Sequence, residues 1–339
     1  MTNTLPCPAP PCSGVIPMDA CPPLPPPLPQ AVPQRPQMIP TPQILMPTPP
    51  AVFVRPPRAL YHASEGVLLY KGDAAEVLAS LAPASVDCII TSPPYYGQRD
   101  YGVEGQIGLE GDPREYVDKL VAVFHHARRV LKPSGSLWVN IGDTYWSGKG
   151  RPHGPDAKQK ARRFDRPQDK AGKRPLCRPK QLLLVPHRFA IAMQDAGWLV
   201  RNDNVWRKPR PTPDPVRDRC ASRHEYVFHF VLRRRYYYDY EAVAIPSTGK
   251  TALQAPPSVW EVATIPSSKR HTAVFPAQLV MLPIRATCPP AGVVLDPFCG
   301  SGTALAVARA HGRQAVGIDV SESALGEARD LLEARGAKG

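Results

Sequence analysis

The sequence predicts an α/β protein with a doubly wound parallel sheet, and three observations carry that expectation. Ala291 to Val320, AGVVLDPFCGSGTALAVARAHGRQAVGIDV, reads as strand, glycine loop, helix from about Thr303 and a second strand ending in Asp319, a βαβ unit. Val86 to Gly102, VDCIITSPPYYGQRDYG, opens with an apolar run broken only by Asp87; it has the length of a buried parallel strand and stops at Pro93-Pro94. A chain of 339 residues, 43% of them hydrophobic, supplies the core for one large domain or a domain with a small insertion.

A formal net charge of +13 and a pI near 9.5 point to a polyanionic partner, nucleic acid before membrane, since no 18-residue apolar run exists. The eight cysteines are scattered without close pairing, which excludes a disulfide framework and suits a reducing cytoplasm. Residues 1–58 are dominated by proline, with runs such as PPLPPPLPQ, and read as a disordered or polyproline-like tail without the basic start and apolar block of a signal peptide.

The fold is expected to begin near Val67. Val67 to Tyr70 reads as a strand, followed by Gly72-Asp73 and a helix from Ala74 to Leu81. Asp73 suits a helix N-cap, and an acid at a strand's carboxyl end also suits a cofactor's hydroxyl or amine. Glu115 to Leu131 carries Tyr116, Leu120, Val123, Phe124 and Val130 at helical spacing, ends in Lys132-Pro133-Ser134-Gly135, and leads to a strand from Ser136 to Ile141. His125 and His126 lie in that helix, but sequence neighbours do not share one helical face, which argues against a metal site.

From Lys149 to Lys180 the chain is strongly basic and loses hydrophobic period. Such a loop is a solvated loop or, beside the Val86 strand, would meet phosphates, with Lys149, Arg151, Lys158, Lys160, Arg162 and Arg163 as candidate contacts. Gln181 to Gly197 reads as an amphipathic helix. Trp198 to Trp206 and Arg223 to Leu232 read as strands that pair antiparallel, with Trp206 in the core and Lys208 and Arg210 as further phosphate contacts. His224-Glu225 does not begin a zinc-protease motif, because His229 follows at five residues rather than four and the element is a strand. Ser247 to Arg270 lacks periodicity and reads as irregular chain, and His271 to Ile284 contains a helix start.

Two loops carry chemistry. Proline lacks an N–H and fixes φ, so Pro93-Pro94 holds the chain extended and leaves the carbonyls of Ser92 and Pro93 without ladder partners. With the Ser92 hydroxyl beside them and the Tyr95 ring after them, they form a cup for a planar amine, the shape that a flipped nucleobase requires. In the C-terminal unit, Gly300 and Gly302 let backbone approach a ligand, the helix N-terminus favours a carboxylate or phosphate, and Asp319 is placed for ribose hydroxyls. No Lys-Ser/Thr follows the glycines, so the loop is not a P-loop.

Thr91-Ser92-Pro93-Pro94-Tyr95 after a hydrophobic strand resembles the catalytic motif of the amino-group DNA methyltransferases, and Asp296-Pro297-Phe298-Cys299-Gly300-Ser301-Gly302 resembles their S-adenosylmethionine loop. Serine at the first motif position, where adenine enzymes usually carry Asp, resembles the cytosine-N4 branch. YGQRDYGVEGQIGLE after the motif is similar to a subgroup common among phage and prophage solitary enzymes. The resemblance runs from about Leu68 to Leu332.

It implies a Rossmann-like methyltransferase sheet in circularly permuted, beta-type order, with the catalytic half first and the cofactor half last. It further implies S-adenosylmethionine as cofactor, double-stranded DNA as partner and no metal. Any cognate restriction endonuclease would be a second partner, absent if the enzyme is solitary. The implied reaction is methylation of cytosine N4 with Ser92, Pro93, Pro94 and Tyr95 at the reacting amine; adenine-N6 methylation and a non-catalytic DNA-binding protein are the alternatives. Cofactor contacts are implied for Asp73, Phe275, Asp296, Phe298, Gly300, Ser301, Gly302, Thr303 and Asp319. Residues 59–339 form the methyltransferase domain: 59–148 and 181–245 its catalytic half, 149–180 the basic loop, 246–270 a target-recognition region and 271–339 the cofactor half.

Overall fold

The computed structural model describes residues 59–98, 100, 102–103, 105–146, 177–211, 214, 216–247, 252–264 and 276–336. The proline-rich segment 1–58, Phe275 and the basic candidates Lys149, Arg151, Lys158, Lys160, Arg162 and Arg163 lie outside the described residues.

The first half runs β1 (Leu60–Ser64), β2 (Val67–Lys71), α1 (Ala74–Ser80), β3 (Val86–Thr91), α2 (Pro113–Val130) and β4 (Leu131–Ile141). There follow β5 (Tyr145–Trp146), β6 (Gln181–Leu182), α3 (Val185–Asp195), β7 (Leu199–Arg207), β8 (His224–Val231), α4 (Tyr240–Val243), β9 (Ile245–Pro246), β10 (Leu253–Gln254) and β11 (Val259–Glu261). The chain closes with α5 (Ala277–Thr287), β12 (Val293–Asp296), α6 (Thr303–Ala310), β13 (Gln314–Asp319) and α7 (Glu322–Gly336).

A nine-stranded sheet of order β1-β2-β13-β12-β3-β4-β8-β7-β11 forms the middle layer. Strands β2, β13, β12, β3 and β4 are parallel, and β8 enters antiparallel between β4 and β7. Side chains alternate between the two faces as the pleat demands. Val293, Leu295, Val316 and Ile318 face a core shared with α1, α2 and α3, while Val294 and Ala315 face one shared with α5, α6 and α7. Burying one such aliphatic side chain contributes roughly 1.5–3 kcal/mol, and helices on both faces explain why β3 is apolar along its length.

The exception within β3 is Asp87, which joins three strands at the end of the sheet away from the catalytic loops. Its carboxylate pairs with Lys132 Nζ at 2.8 and 2.9 Å and accepts from Val293 N at 2.9 Å. The helix over this face is set by its ends. Asp112 accepts from Arg114 N at 2.9 Å, Pro113 begins α2, and Arg128 and Arg129 sit at its negative end. Arg129 also reaches the Leu78 and Leu81 carbonyls that end α1.

Several boundaries differ from the sequence reading. An edge strand, β1, precedes Val67 and pairs antiparallel with β2. β4 begins at Leu131 rather than Ser136, because Leu131 pairs with Val86 across a bulge that absorbs the Pro-Ser-Gly turn signal. The helix expected from Gln181 is shorter: Gln181–Leu182 pairs with Tyr145–Trp146, and α3 starts at Val185, whose N–H is capped at 3.1 Å by Asp143. Ser247 to Arg270 is not wholly irregular, since Val259–Glu261 adds a parallel ninth strand beside β7 and β9 pairs with β10.

Candidate active site

Strands β12 and β3 lie side by side, Val294 opposite Cys88 and Leu295 opposite Ile89, and the sheet winds outward from them in both directions. Loops that leave neighbouring strands at such a switch part and open a crevice at the carboxyl edge. The loop after Asp296 and the loop after Thr91 therefore share one opening. They are joined by a buried bond in which Thr91 Oγ1 donates to Asp296 Oδ1 at 2.6 Å.

Asp296 Oδ1 also accepts from Phe298 N at 3.0 Å, while its buried Oδ2 has no partner among the described residues. Burial, with the nearby charge of Asp319, pushes the Asp296 carboxyl up to about 7 against the hydrogen bonds from Thr91 and Phe298. Gly300 and Gly302 adopt φ of +50° and +81°, the left-handed region that favours glycine. A Cβ on Gly300 would meet no atom within 4 Å, so the space in front of the loop is open, whereas one on Gly302 would lie 2.9 Å from Ala328 Cβ. Ser301 and Thr303 are half-buried at the start of α6, and Phe298 is half-buried before the glycines.

Asp319 ends β13 with Oδ2 accepting from Gly300 N at 2.9 Å and Oδ1 from Ser321 N at 2.8 Å; burial raises its carboxyl above the usual range. Gly72 N donates to the Asp319 carbonyl at 3.0 Å, which brings the Asp73 turn beside it. The Asp73 side chain caps α1, accepting from Ala75 N at 2.8 Å and Glu76 N at 3.2 Å. An open glycine cradle, a helix N-terminus, the unpartnered Asp296 oxygen and Asp319 together fit a small ligand that carries hydroxyls and a charged amino acid moiety.

On the catalytic side, Ser92, Pro94 and Tyr95 are half-buried and Pro93 is buried. The Pro93 carbonyl accepts no hydrogen bond from a described residue, whereas that of Pro94 takes the Tyr116 hydroxyl at 2.8 Å. Tyr95 is held along its edge and at its tip. A Cβ on Gly142 would stand 2.8 Å from Tyr95 Cε2, so the ring occupies the space a side chain there would need. Its hydroxyl lies 2.6 Å from Glu225 Oε2 and 2.9 Å from Asn140 Oδ1, and Ser92 Oγ lies 3.4 Å from both Tyr95 Oη and Asn140 Oδ1. Burial and the Glu225 charge raise the Tyr95 phenol well above its ordinary value, so it stays neutral.

Asn140, Gly142 and Glu225 were not singled out as site residues by the sequence. Each sits at an end of β4 or β8 on the carboxyl edge of the sheet, the placement that made Asp296 and Asp319 candidates, but only the pairing of β8 with β4 brings them together. Glu225 belongs to a lysine as well: Lys208 Nζ pairs with Glu225 Oε1 and lies 4.5 Å from the Trp206 ring centre. Lys208 is thus turned into the site, while Arg210 is exposed. Trp206 is core, its Nε1 donating to Val262 O at 2.8 Å. The β5–β6 ribbon follows Asp143, just past the end of β4.

A doubly wound sheet with a glycine cradle and the Ser92–Tyr95 loop at one crevice has the architecture of an α/β group-transfer enzyme. The chain belongs to the N6/N4 methyltransferase family of DNA methylases, whose sequence profile matches residues 86–330. It is a site-specific DNA methyltransferase of S-adenosylmethionine-dependent type. It is 44% identical over 269 residues to the type II methyltransferase M.XycI of Xanthomonas campestris pv. cyanopsidis, spanning 79% of this chain and 88% of that one. It is 41% identical over 263 residues to M.SmaI of Serratia marcescens, spanning 77% and 89%. Among solved structures, the cytosine-N4-specific PvuII DNA methyltransferase superposes with a TM-score of 0.58 at 21% identity, over 78% of this chain and 86% of that one. A Thermus thermophilus protein solved in complex with S-adenosylmethionine superposes with a TM-score of 0.53 at 24% identity over 80% and 94%, a likeness of fold.

Proposed function

We propose that the chain methylates the exocyclic N4 of cytosine within a short site in double-stranded DNA, in the cytoplasm. The observation that carries the reading is the Ser92 hydroxyl and unpaired Pro93 carbonyl on the loop that Thr91 ties to Asp296. The PvuII neighbour's cytosine-N4 specificity supports the choice of base. The type II relatives support a short recognition sequence and a cognate endonuclease. Recognition is assigned to residues 246–270, and phosphate contacts to the basic segment 149–180 and Arg210.

Cytosine's amine is a weak nucleophile because its lone pair is delocalised into the ring. Ser92 Oγ and the Pro93 carbonyl accept its two hydrogens, draw the nitrogen toward tetrahedral geometry and localise that lone pair. S-adenosylmethionine, when bound, supplies an electrophilic methyl group on a sulfonium. The Asp296 loop with Phe298, Gly300, Ser301, Gly302 and Thr303 holds its amino acid end, and Asp319, with Asp73 beside it, holds the ribose. Tyr95 walls the base's face, where stacking contributes ~1–3 kcal/mol. Cys88, Cys288 and Cys299 take no part, since each is buried and burial pushes the Cys88 thiol up to about 12.

The test is digestion and mass spectrometry of DNA treated with the purified chain and S-adenosylmethionine. N4-methylcytosine is expected, and N6-methyladenine would overturn the base assignment. Ser92→Ala removes one acceptor, so turnover should fall on the order of a hundredfold, about 3 kcal/mol, while cofactor binding survives. Full activity in that variant would remove Ser92 from the reaction.

A further inference from the structure

The oxygen cluster behind Ser92 offers more acceptors than donors. Asn140 Nδ2 donates to Glu225 Oε2 at 3.2 Å and to the Tyr226 carbonyl at 3.1 Å, which turns Asn140 Oδ1 toward Ser92 and Tyr95. The Tyr95 hydroxyl then faces two acceptors, Glu225 Oε2 at 2.6 Å and Asn140 Oδ1 at 2.9 Å, with a single proton to give. Lys208 pairs with the other Glu225 oxygen. An acceptor-rich cluster next to a group that must lose a proton is a sink for that proton.

We propose that Glu225 is the terminal acceptor for the proton released by the methylated amine, reached through Ser92 and Tyr95. The inference rests on the amine-methylation reading above and adds the route by which the reaction ends. As the N–CH₃ bond forms and the methyl–sulfur bond breaks, positive charge builds on the nitrogen, and its N–H bond breaks in the same step with the electron pair kept by nitrogen. The proton goes to Ser92 Oγ, the Ser92 proton to Tyr95 Oη, and the Tyr95 proton to Glu225 Oε2, leaving a neutral glutamic acid and no net change in serine or tyrosine. The Ser92–Tyr95 separation of 3.4 Å is long, and such contacts tighten when substrate fills the site. The groups that face Glu225 are Lys208 beyond the end of β7, Asn140 on β4 and Tyr95 on the β3 loop, with Tyr116 of α2 behind the tyrosine and His224 beside Glu225 on β8.

Glu225→Gln and Tyr95→Phe separate a proton acceptor from a structural brace. The glutamine keeps an oxygen for the Tyr95 hydroxyl and the phenylalanine keeps the ring, but neither passes the proton on. Single-turnover methyl transfer by the full chain should rise with pH along an acid limb in the unaltered enzyme. Both variants should lose that limb and run on the order of a hundredfold slower, with S-adenosylmethionine and DNA binding unchanged. Glu225→Gln combined with Lys208→Met, which also removes the unpaired cation, should behave like Glu225→Gln. Wild-type limb and rate in Glu225→Gln or Tyr95→Phe would overturn the proposal, as would recovery in the double variant, which would make the cation the cause. Failure of the underlying reading shows differently, as absence of amine-methylated base with the unaltered enzyme.

Discussion

Thr91 on β3 and Asp296 on β12 share a 2.6 Å hydrogen bond across the switch point of the sheet, so the first residue before the amine cup and the first residue of the glycine loop are one rigid unit. On the proposed reading, the loop for the methyl acceptor and the loop for the donor are thereby set at a fixed spacing, which is the geometric requirement of an in-line transfer.

Thr91→Val keeps the shape and removes the donor. Asp296 Oδ1 keeps only the Phe298 N–H, so the variant should lose about 1–3 kcal/mol of stability in denaturant unfolding. Its methyl transfer should fall more than its S-adenosylmethionine affinity, because the spacing of the loops is what loosens. Unchanged transfer with normal stability would show that the bond does not set the spacing.

The Asp296 carboxyl, pushed up to about 7, gives a pH dependence of defined sign. Between the ordinary carboxylate range and about 7, the folded protein holds a proton that the unfolded chain has released. Stability is therefore greatest on the acid side of this window and is lost as pH rises through it. From about pH 6 to about pH 8 the ligand-free chain should lose roughly 1 kcal/mol that Asp296→Asn does not lose. Melting curves of the two proteins at both pH values decide it; parallel pH profiles would mean that Asp296 is ionised throughout.

Asp319 accepts the Gly300 and Ser321 N–H groups and so shapes the cradle as well as facing it. Asp319→Ala should weaken S-adenosylmethionine binding by about 10- to 100-fold, the worth of one or two charge-assisted hydrogen bonds, with the far-ultraviolet circular dichroism unaltered. Equal affinity by calorimetry would place the ribose elsewhere.

The basic segment is tested through salt. Neutralising Lys158, Lys160, Arg162 and Arg163 together should weaken binding to all DNA sequences alike, and the slope of log affinity against log salt should shrink by about 0.9 for each phosphate that no longer meets a cation. An unaltered slope would leave the segment as a solvated loop.

Much of the site was legible because its parts are local. A buried parallel strand reads as an apolar run, β12 and β13 each end in an acid, and β3 stops two residues before a proline that cannot continue a ladder. Glu225 and Asn140 were illegible for the opposite reason. Each looks like an ordinary polar residue of a strand, and their meeting depends on β8 inserting between β4 and β7, a choice made by long-range packing. β1 escaped notice because its exposed and half-buried residues do not alternate cleanly, and β11 because three residues beside a partner over fifty positions away carry no period of their own.

The pairing of β3 with β12 has a consequence for how the protein is made. Thr91 and Asp296 are 205 positions apart, and the strand with every residue buried lies between a neighbour made soon after it and one made almost last. At roughly 5–20 residues per second, a ribosome leaves one edge of β3 unpaired for on the order of 10–40 s. During that interval the nascent chain carries an apolar strand edge open to any other strand, and the central ladder closes only by a contact of high sequence separation, the slow kind. Asp87, a carboxylate near the start of that apolar run, then acts as a gatekeeper: until Val293 and Lys132 arrive, its charge opposes the docking of a foreign strand.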